Sequence, residues 1–229
     1  RKEYNRAALY EIFRKLEFNT FIEKFRLSPA VSVSHKPGSD TDKNAAVNNN
    51  IKVNLIKTRD DLAGLKKRIE DAGYTEIFFL IEKINYYENT LSLIAFKTDD
   101  AISCIIFQDS PDAIQPDDFL SEFAPVFLDN GIKKAGHDLK QLITYLKWKG
   151  IEFKGLSFDT MLAAYILNST RNSYDVSELS ADYLGEIFPG LGELTGRGKN
   201  YRPVSSIDSE KILNTVACHC NALSKLIPV

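Results

Sequence analysis

The sequence predicts an α/β protein built as a mixed β-sheet flanked by helices. Two observations carry this reading. Ile77-Phe78-Phe79-Leu80-Ile81 is a continuous apolar run suited to a strand covered on both faces. Two further strand-like runs follow it as a meander, and from there strand-like segments alternate with segments of helical period. A chain of 229 residues, 44% hydrophobic and 26% charged, can bury a sizeable core.

Residues 4–27 read as an amphipathic helix, with Leu9, Ile12, Phe13, Leu16, Phe21, Ile22 and Phe25 at roughly helical spacing. Such a helix needs a surface to cover. Residues 28–50 are rich in Ser, Asn, Asp, Pro and Gly and poor in large apolar groups, which predicts a flexible linker and a domain boundary. The main domain is then 51–229. Its first strand is 52–56. Thr58 caps a helix over 59–72, with Asp61 placed for a capping box. After the strand at 77–81 come strands at 91–97 and 101–107, joined by a turn at Thr98-Asp99-Asp100. Helices are expected at 117–129, 139–149, 159–167, 177–184 and 210–227, with a short strand at 131–136.

The net charge of -2 carries no global signature of a nucleic-acid binder, so nucleic-acid contact would fall to a local groove. Cys104, Cys218 and Cys220 form an odd set without framework spacing, which fits a reducing cytoplasm. No stretch approaches the roughly 20 apolar residues that span a bilayer, and the N-terminus lacks the apolar core of a secretory signal. A chain that starts without Met and stops at LIPV reads as a fragment of a longer protein.

Ala135 to Ser169, AGHDLKQLITYLKWKGIEFKGLSFDTMLAAYILNS, resembles the second exonuclease segment of family A DNA polymerases, the DNA polymerase I group. LYEIFRKLEFNTFIEKF is similar to the end of that group's 5′-nuclease region, and Gly196-Arg197-Gly198-Lys199-Asn200 resembles its Gly-Lys-Gly-Lys-Asn loop. The resemblance covers 51–229 and implies a ribonuclease H-like fold, the 3′–5′ exonuclease domain of that family. In the family, carboxylates from three segments hold two divalent metal ions that cleave a 3′ end.

The resemblance places Ile81 and Lys83 where the family has Asp-x-Glu on one strand face. Leu142 stands at the Asp of the second segment. Thr215 and His219 stand at the Tyr and Asp of the third. Lys83 would repel a divalent cation. Glu82 lies between the first two positions, but strand alternation turns it to the opposite face unless a bulge intervenes, so a solvated or ion-paired role is expected. Asp138 could reach a metal, yet is expected to cap the helix beginning at Leu139. His137 is expected to be a surface or cap residue, and Asp159 an N-cap. Cys218-His219-Cys220 cannot converge on one zinc ion from a helix, and reads as packing.

The expectation is therefore a catalytically inactive exonuclease domain with no metal ions and no other cofactor. It would serve as a structural platform for the polymerase module of the same chain, in a monomeric, cytoplasmic, non-membrane protein of DNA replication and repair. Weak DNA contact would fall to the basic loop at Arg197 and Lys199. The rivals are an exonuclease using displaced ligands such as Glu82, Asp138 and His219, a nucleic-acid-binding module without chemistry, and a free-standing interaction protein.

Overall fold

The computed structural model describes residues 6–15, 52–83, 89–99, 101–108, 110, 113–196 and 198–228. Two compact units divide the chain, Arg1–Ala46 and Val47–Val229. In the first, α1 (Arg6–Lys15) is helical, as its apolar spacing predicts; the remainder of the expected helix to residue 27 and the expected linker at 28–50 lie outside the described residues.

The second unit carries six strands, β1 (Val53–Leu55), β2 (Tyr74–Lys83), β3 (Asn89–Thr98), β4 (Ala101–Ile106), β5 (Lys133–Gly136) and β6 (Leu156–Asp159). They form one mixed sheet in the order β1-β4-β3-β2-β5-β6. The meander β2-β3-β4 is antiparallel, whereas β1 joins β4, β5 joins β2 and β6 joins β5 in parallel. Thr98 pairs with Ala101, and Asp99 takes a left-handed conformation (φ 49°) to make the tight turn between them. Strand β2 is longer than the apolar run suggests. It starts directly after Gly73, which ends the preceding helix in a left-handed cap at φ 62°.

Helices cover both faces. On one lie α2 (Arg59–Ala72), α3 (Pro116–Leu128) and α4 (Leu139–Trp148); on the other lie α5 (Thr160–Leu167), α6 (Val176–Tyr183) and α8 (Ser209–Leu226). The short α7 (Leu191–Thr195) and strand β6 are additions to the sequence reading. The capping box of α2 forms in full, Asp61 N–H donating to Thr58 Oγ1 and Thr58 N–H to Asp61 Oδ2, both at 3.1 Å. Apolar residues of β2 alternate between the layers: Ile77, Phe79 and Ile81 face α2, α3 and α4, while Phe78 and Leu80 face α6 and α8. Phe96, Phe119, Phe123 and Phe127 are fully buried and anchor the first layer, with Phe119 and Phe123 ring centroids 4.6 Å apart.

Lys134 is also fully buried, on β5. Its ammonium donates to the carbonyls of Asp129 (2.8 Å), Ile132 (2.8 Å) and Lys154 (2.9 Å), and burial pulls its pKa down to about 8. It thus fastens the turn before β5 to the segment that leads into β6.

Candidate functional site

The C-terminal end of β2 presents the first motif positions. Ile81 is half-buried against the α2–α3–α4 layer, and Lys83 is exposed at the strand's last position. A bulge does occur beside them: Leu80 pairs with Leu93 and Ile81 with Leu91, so the extra residue is Ser92 of β3. Because the insertion falls on the partner strand, β2 keeps its own alternation and Glu82 stays on the opposite face from Ile81. There Glu82 is hydrogen-bonded rather than simply solvated. Its Oε1 accepts from the Tyr201 hydroxyl and from Val204 N–H at 3.0 Å. The acid ties the 201–204 segment to the sheet, and this contact pushes the Tyr201 phenol's pKa upward after burial has done so.

Asp138 occupies the N-cap position of α4, but the expected cap does not form. The residue sits in the left-handed region (φ 50°, ψ 44°), and its side chain accepts from Gln141 Nε2 instead. The capping oxygens come from Asp159. Its Oδ1 accepts from the N–H groups of Met161 (2.9 Å), Leu162 (3.2 Å) and Asp138 (3.2 Å), and its Oδ2 from Leu139 N–H (2.8 Å). One carboxylate therefore caps α5, as the sequence suggests, and also caps α4. Burial raises the Asp138 pKa, with Gln141 and His137 opposing.

His137 is not a surface residue. It is half-buried, with Nδ1 2.8 Å from Thr160 Oγ1. The same hydroxyl lies 3.2 Å from Gly136 O and so links the ring to the end of β5. Burial lowers the imidazole's pKa. Gly136 permits this crossing: a Cβ there would lie 2.6 Å from the Ile77 carbonyl oxygen. Leu142 is fully buried one turn into α4, among the apolar residues of the first layer.

On α8, the Thr215 hydroxyl bonds back to Lys211 O at 2.9 Å. His219 is only 2% exposed and packs its ring 5.1 Å from that of Phe78 and 5.0 Å from that of Phe188. Its Nδ1 donates to Thr215 O at 2.9 Å, which places a hydrogen on Nδ1; burial lowers the ring's pKa to about 4, with the Thr215 contact opposing. Cys220 is buried and Cys218 half-buried.

These elements enclose a cleft of about 450 Å³ whose walls include Ile81, His137, Asp138, Met161, Asp175 and His219. Thus Ile81 and His219 meet at one cleft, while Leu142 is closed off in the core. Leading away from it is a groove of about 530 Å³ with Lys83, Asn89, Lys140, Gln141 and Trp148 in its walls, Trp148 being 66% exposed. Asp175 and Trp148 went unremarked in the sequence, where neither has a distinguishing spacing. Lys199 lies exposed in a 3-10 turn, Gly198–Asn200, and Arg197 lies outside the described residues.

Residues 78–199, more than half of the chain, match the family described as DNA polymerase I, ribonuclease H-like domain. The chain belongs to that family. It is 28% identical to DNA polymerase I of Bacillus subtilis (strain 168) over 216 residues, covering 92% of this chain and 21% of that protein. It is 20% identical to DNA polymerase I of Pseudomonas aeruginosa over 203 residues, covering 86% of this chain and 22% of that one. The chain thus spans about a fifth of the length of these relatives. Among solved structures, Trypanosoma brucei RNase D in complex with RNA U12 matches with a TM-score of 0.60 at 14% identity, over 76% of this chain and 62% of that one. The POL domain of Pol1 from M. smegmatis, in complex with DNA primer-template and dNTP, matches with a TM-score of 0.54 at 18% identity, over 77% of this chain and 26% of that one. Both share the fold. By sequence this is a DNA polymerase I ribonuclease H-like domain, and its architecture is shared with these two solved structures. No helix among the described residues is long and apolar enough to cross a membrane.

Proposed function

We propose that this domain is a vestigial 3′–5′ exonuclease that performs no metal-dependent hydrolysis and acts as a structural platform for the polymerase module of a DNA polymerase I-like parent. The observation that carries the reading is the chemistry of the motif positions. Ile81 and Leu142 offer no donor atom, Lys83 offers a cation, and the Thr215 hydroxyl is engaged with Lys211 O. His219 turns an imidazole into an aromatic cage rather than an oxyanion toward the cleft. Two divalent ions bridging a phosphate require carboxylate and water oxygens, and this donor set does not fit them. Among the described residues, no group of three or more His, Cys, Asp and Glu could hold a metal ion. Glu82 is committed to Tyr201 and Val204, which argues against its recruitment. A monomeric, cytoplasmic parent acting in replication and repair accords with this role.

The direct test incubates end-labelled single-stranded DNA with pure protein and Mg²⁺ or Mn²⁺. No 3′ shortening is expected. Metal-dependent shortening that disappears in Asp138→Ala or His219→Ala would establish displaced ligands and sink the proposal.

A second reading, nucleic-acid binding without chemistry, is favoured by the groove that holds Trp148 beside Lys83 and Lys140. An exposed indole offers a stacking face, and ammonium groups offer phosphate contacts. Its signature is a single-strand affinity that falls with salt and drops in Trp148→Ala. If affinity falls instead in the Arg197→Ala/Lys199→Ala double variant, the basic loop is the contact.

A further inference from the structure

One part of the surface has no role in the cleft. Helix α5 reads TMLAAYIL and carries no charged residue, yet within it only Thr160 and Ala164 are buried. Ile166 is 82% exposed and Leu167 68%, with Leu162 and Tyr165 also open to solvent. A solvent-facing helix ordinarily places charged groups on its outer side. Leu162 and Ile166 are one turn apart and form a ridge. Beside it, Ala163 and Leu167 border a shallow apolar groove of about 40 Å³ completed by Leu179 and Tyr183 of α6 and Leu226 of α8. Contiguous apolar surface of this kind marks an interaction site.

We infer that this face of α5 is the docking surface for the part of the parent chain that follows Val229. The inference rests on the reading that the parent is a DNA polymerase I-like protein, and it deepens that reading by locating where the platform meets its load. Three observations select this occupant. Leu226 forms both the last residue of α8 and a wall of the groove, so a chain continuing from α8 emerges beside the exposed ridge. This chain covers only 21% and 22% of the two DNA polymerase I relatives, so most of each relative lies outside the matched part. The absence of charge along α5 suits an apolar protein surface and gives a phosphate backbone nothing to bind.

The test is hydroxyl-radical footprinting, read by mass spectrometry, of the 229-residue chain and of the full-length protein encoded by the same gene. Oxidation of Leu162, Tyr165, Ile166 and Leu167 is expected to fall several-fold in the full-length protein, with Trp148 as the unprotected reference. Ile166→Arg in the full-length protein should restore oxidation at Leu167 and Tyr183, while leaving the melting temperature of the 229-residue chain unchanged. Equal oxidation in both proteins overturns the inference and leaves the platform reading standing. So does protection already present in the 229-residue chain, which assigns the face to another segment of that chain, or to a second copy if the protection grows with concentration. A reading frame with no polymerase segment beyond Val229 overturns both.

Discussion

The Asp159 carboxylate lies 2.8 Å from the backbone nitrogen of Leu139, so the residue that opens α5 also closes the free end of α4. The two helices flank the cleft, and a single side chain sets their relative position. Four backbone N–H groups converge on it, two from each helix start.

Asp159→Ala should therefore cost more than an ordinary cap. Loss of one N-cap costs about 1 kcal/mol, and two caps at a buried position put the loss at about 2–4 kcal/mol. Asp138→Ala, at the nominal N-cap of α4, should cost only about 1 kcal/mol, from placing Ala in a left-handed conformation that Asp tolerates better, because its side chain bonds no backbone N–H at the helix start. Urea unfolding of both variants decides between them; equal losses would mean that Asp159 is not the shared cap.

Restoring a carboxylate at the second motif should damage the fold rather than rebuild a metal site. Leu142 is fully buried among apolar side chains, so Leu142→Asp buries an acid without a partner. A loss of roughly 3 kcal/mol or more is expected. Thermal unfolding with and without Mn²⁺ checks this, and a metal-dependent rise in Tm would show that the position still faces a cation site.

Acid should destabilise the domain through His219. Its pKa falls from 6.5 to about 4 on folding, because burial disfavours the charged ring. Above pH 6.5 both states are neutral and the group contributes no pH dependence. Between 6.5 and 4 the unfolded chain takes up the proton and the native one does not, so stability falls as the pH drops, by about 3 kcal/mol across the window. His137 acts in the same direction, while Asp175 opposes the shift at both rings. Urea midpoints measured from pH 7 to pH 4.5 should fall less steeply in His219→Gln than in the parent. Parallel curves would mean that the ring is accessible to solvent.

Gly136→Ala should separate β5 from β2. The new Cβ would meet the Ile77 carbonyl oxygen at 2.6 Å and Leu139 Cδ2 at 2.9 Å, and a backbone oxygen in a paired strand has little room to retreat. Overpacking of this kind costs about 1–3 kcal/mol. Amide exchange at Ile77 and Gly136 should accelerate in the variant, and unchanged exchange would show that the crossing tolerates a methyl group.

The sheet's centre was readable because β2, β3 and β4 are apolar runs separated by a turn that only Asp, Asn or Gly make easily. Strand β6 was not. Its four residues, Leu-Ser-Phe-Asp, show no usable alternation, and Leu156 and Ser157 at its start are exposed on an edge. The cap of α2 was legible since Thr58 and Asp61 are three residues apart. The cap of α4 was not, because its oxygen arrives from Asp159, twenty positions along the chain. His137 was misread for the same reason: its partner Thr160 is distant in sequence, and a lone imidazole before a helix gives no sign of burial. Glu82 was correctly assigned to the far face of β2, but its partners Tyr201 and Val204 are more than a hundred residues away.

The enclosed amine of Lys134 has a further chemical consequence. A depressed pKa normally makes a lysine eager to react with acylating reagents, since more of it is the free base. Here the nitrogen is walled in by three carbonyls and lies 5.7 Å from the centre of the Phe153 ring. Of the domain's lysines it should be the last to acquire an acetyl group, and its labelling would time the opening of the turn it holds.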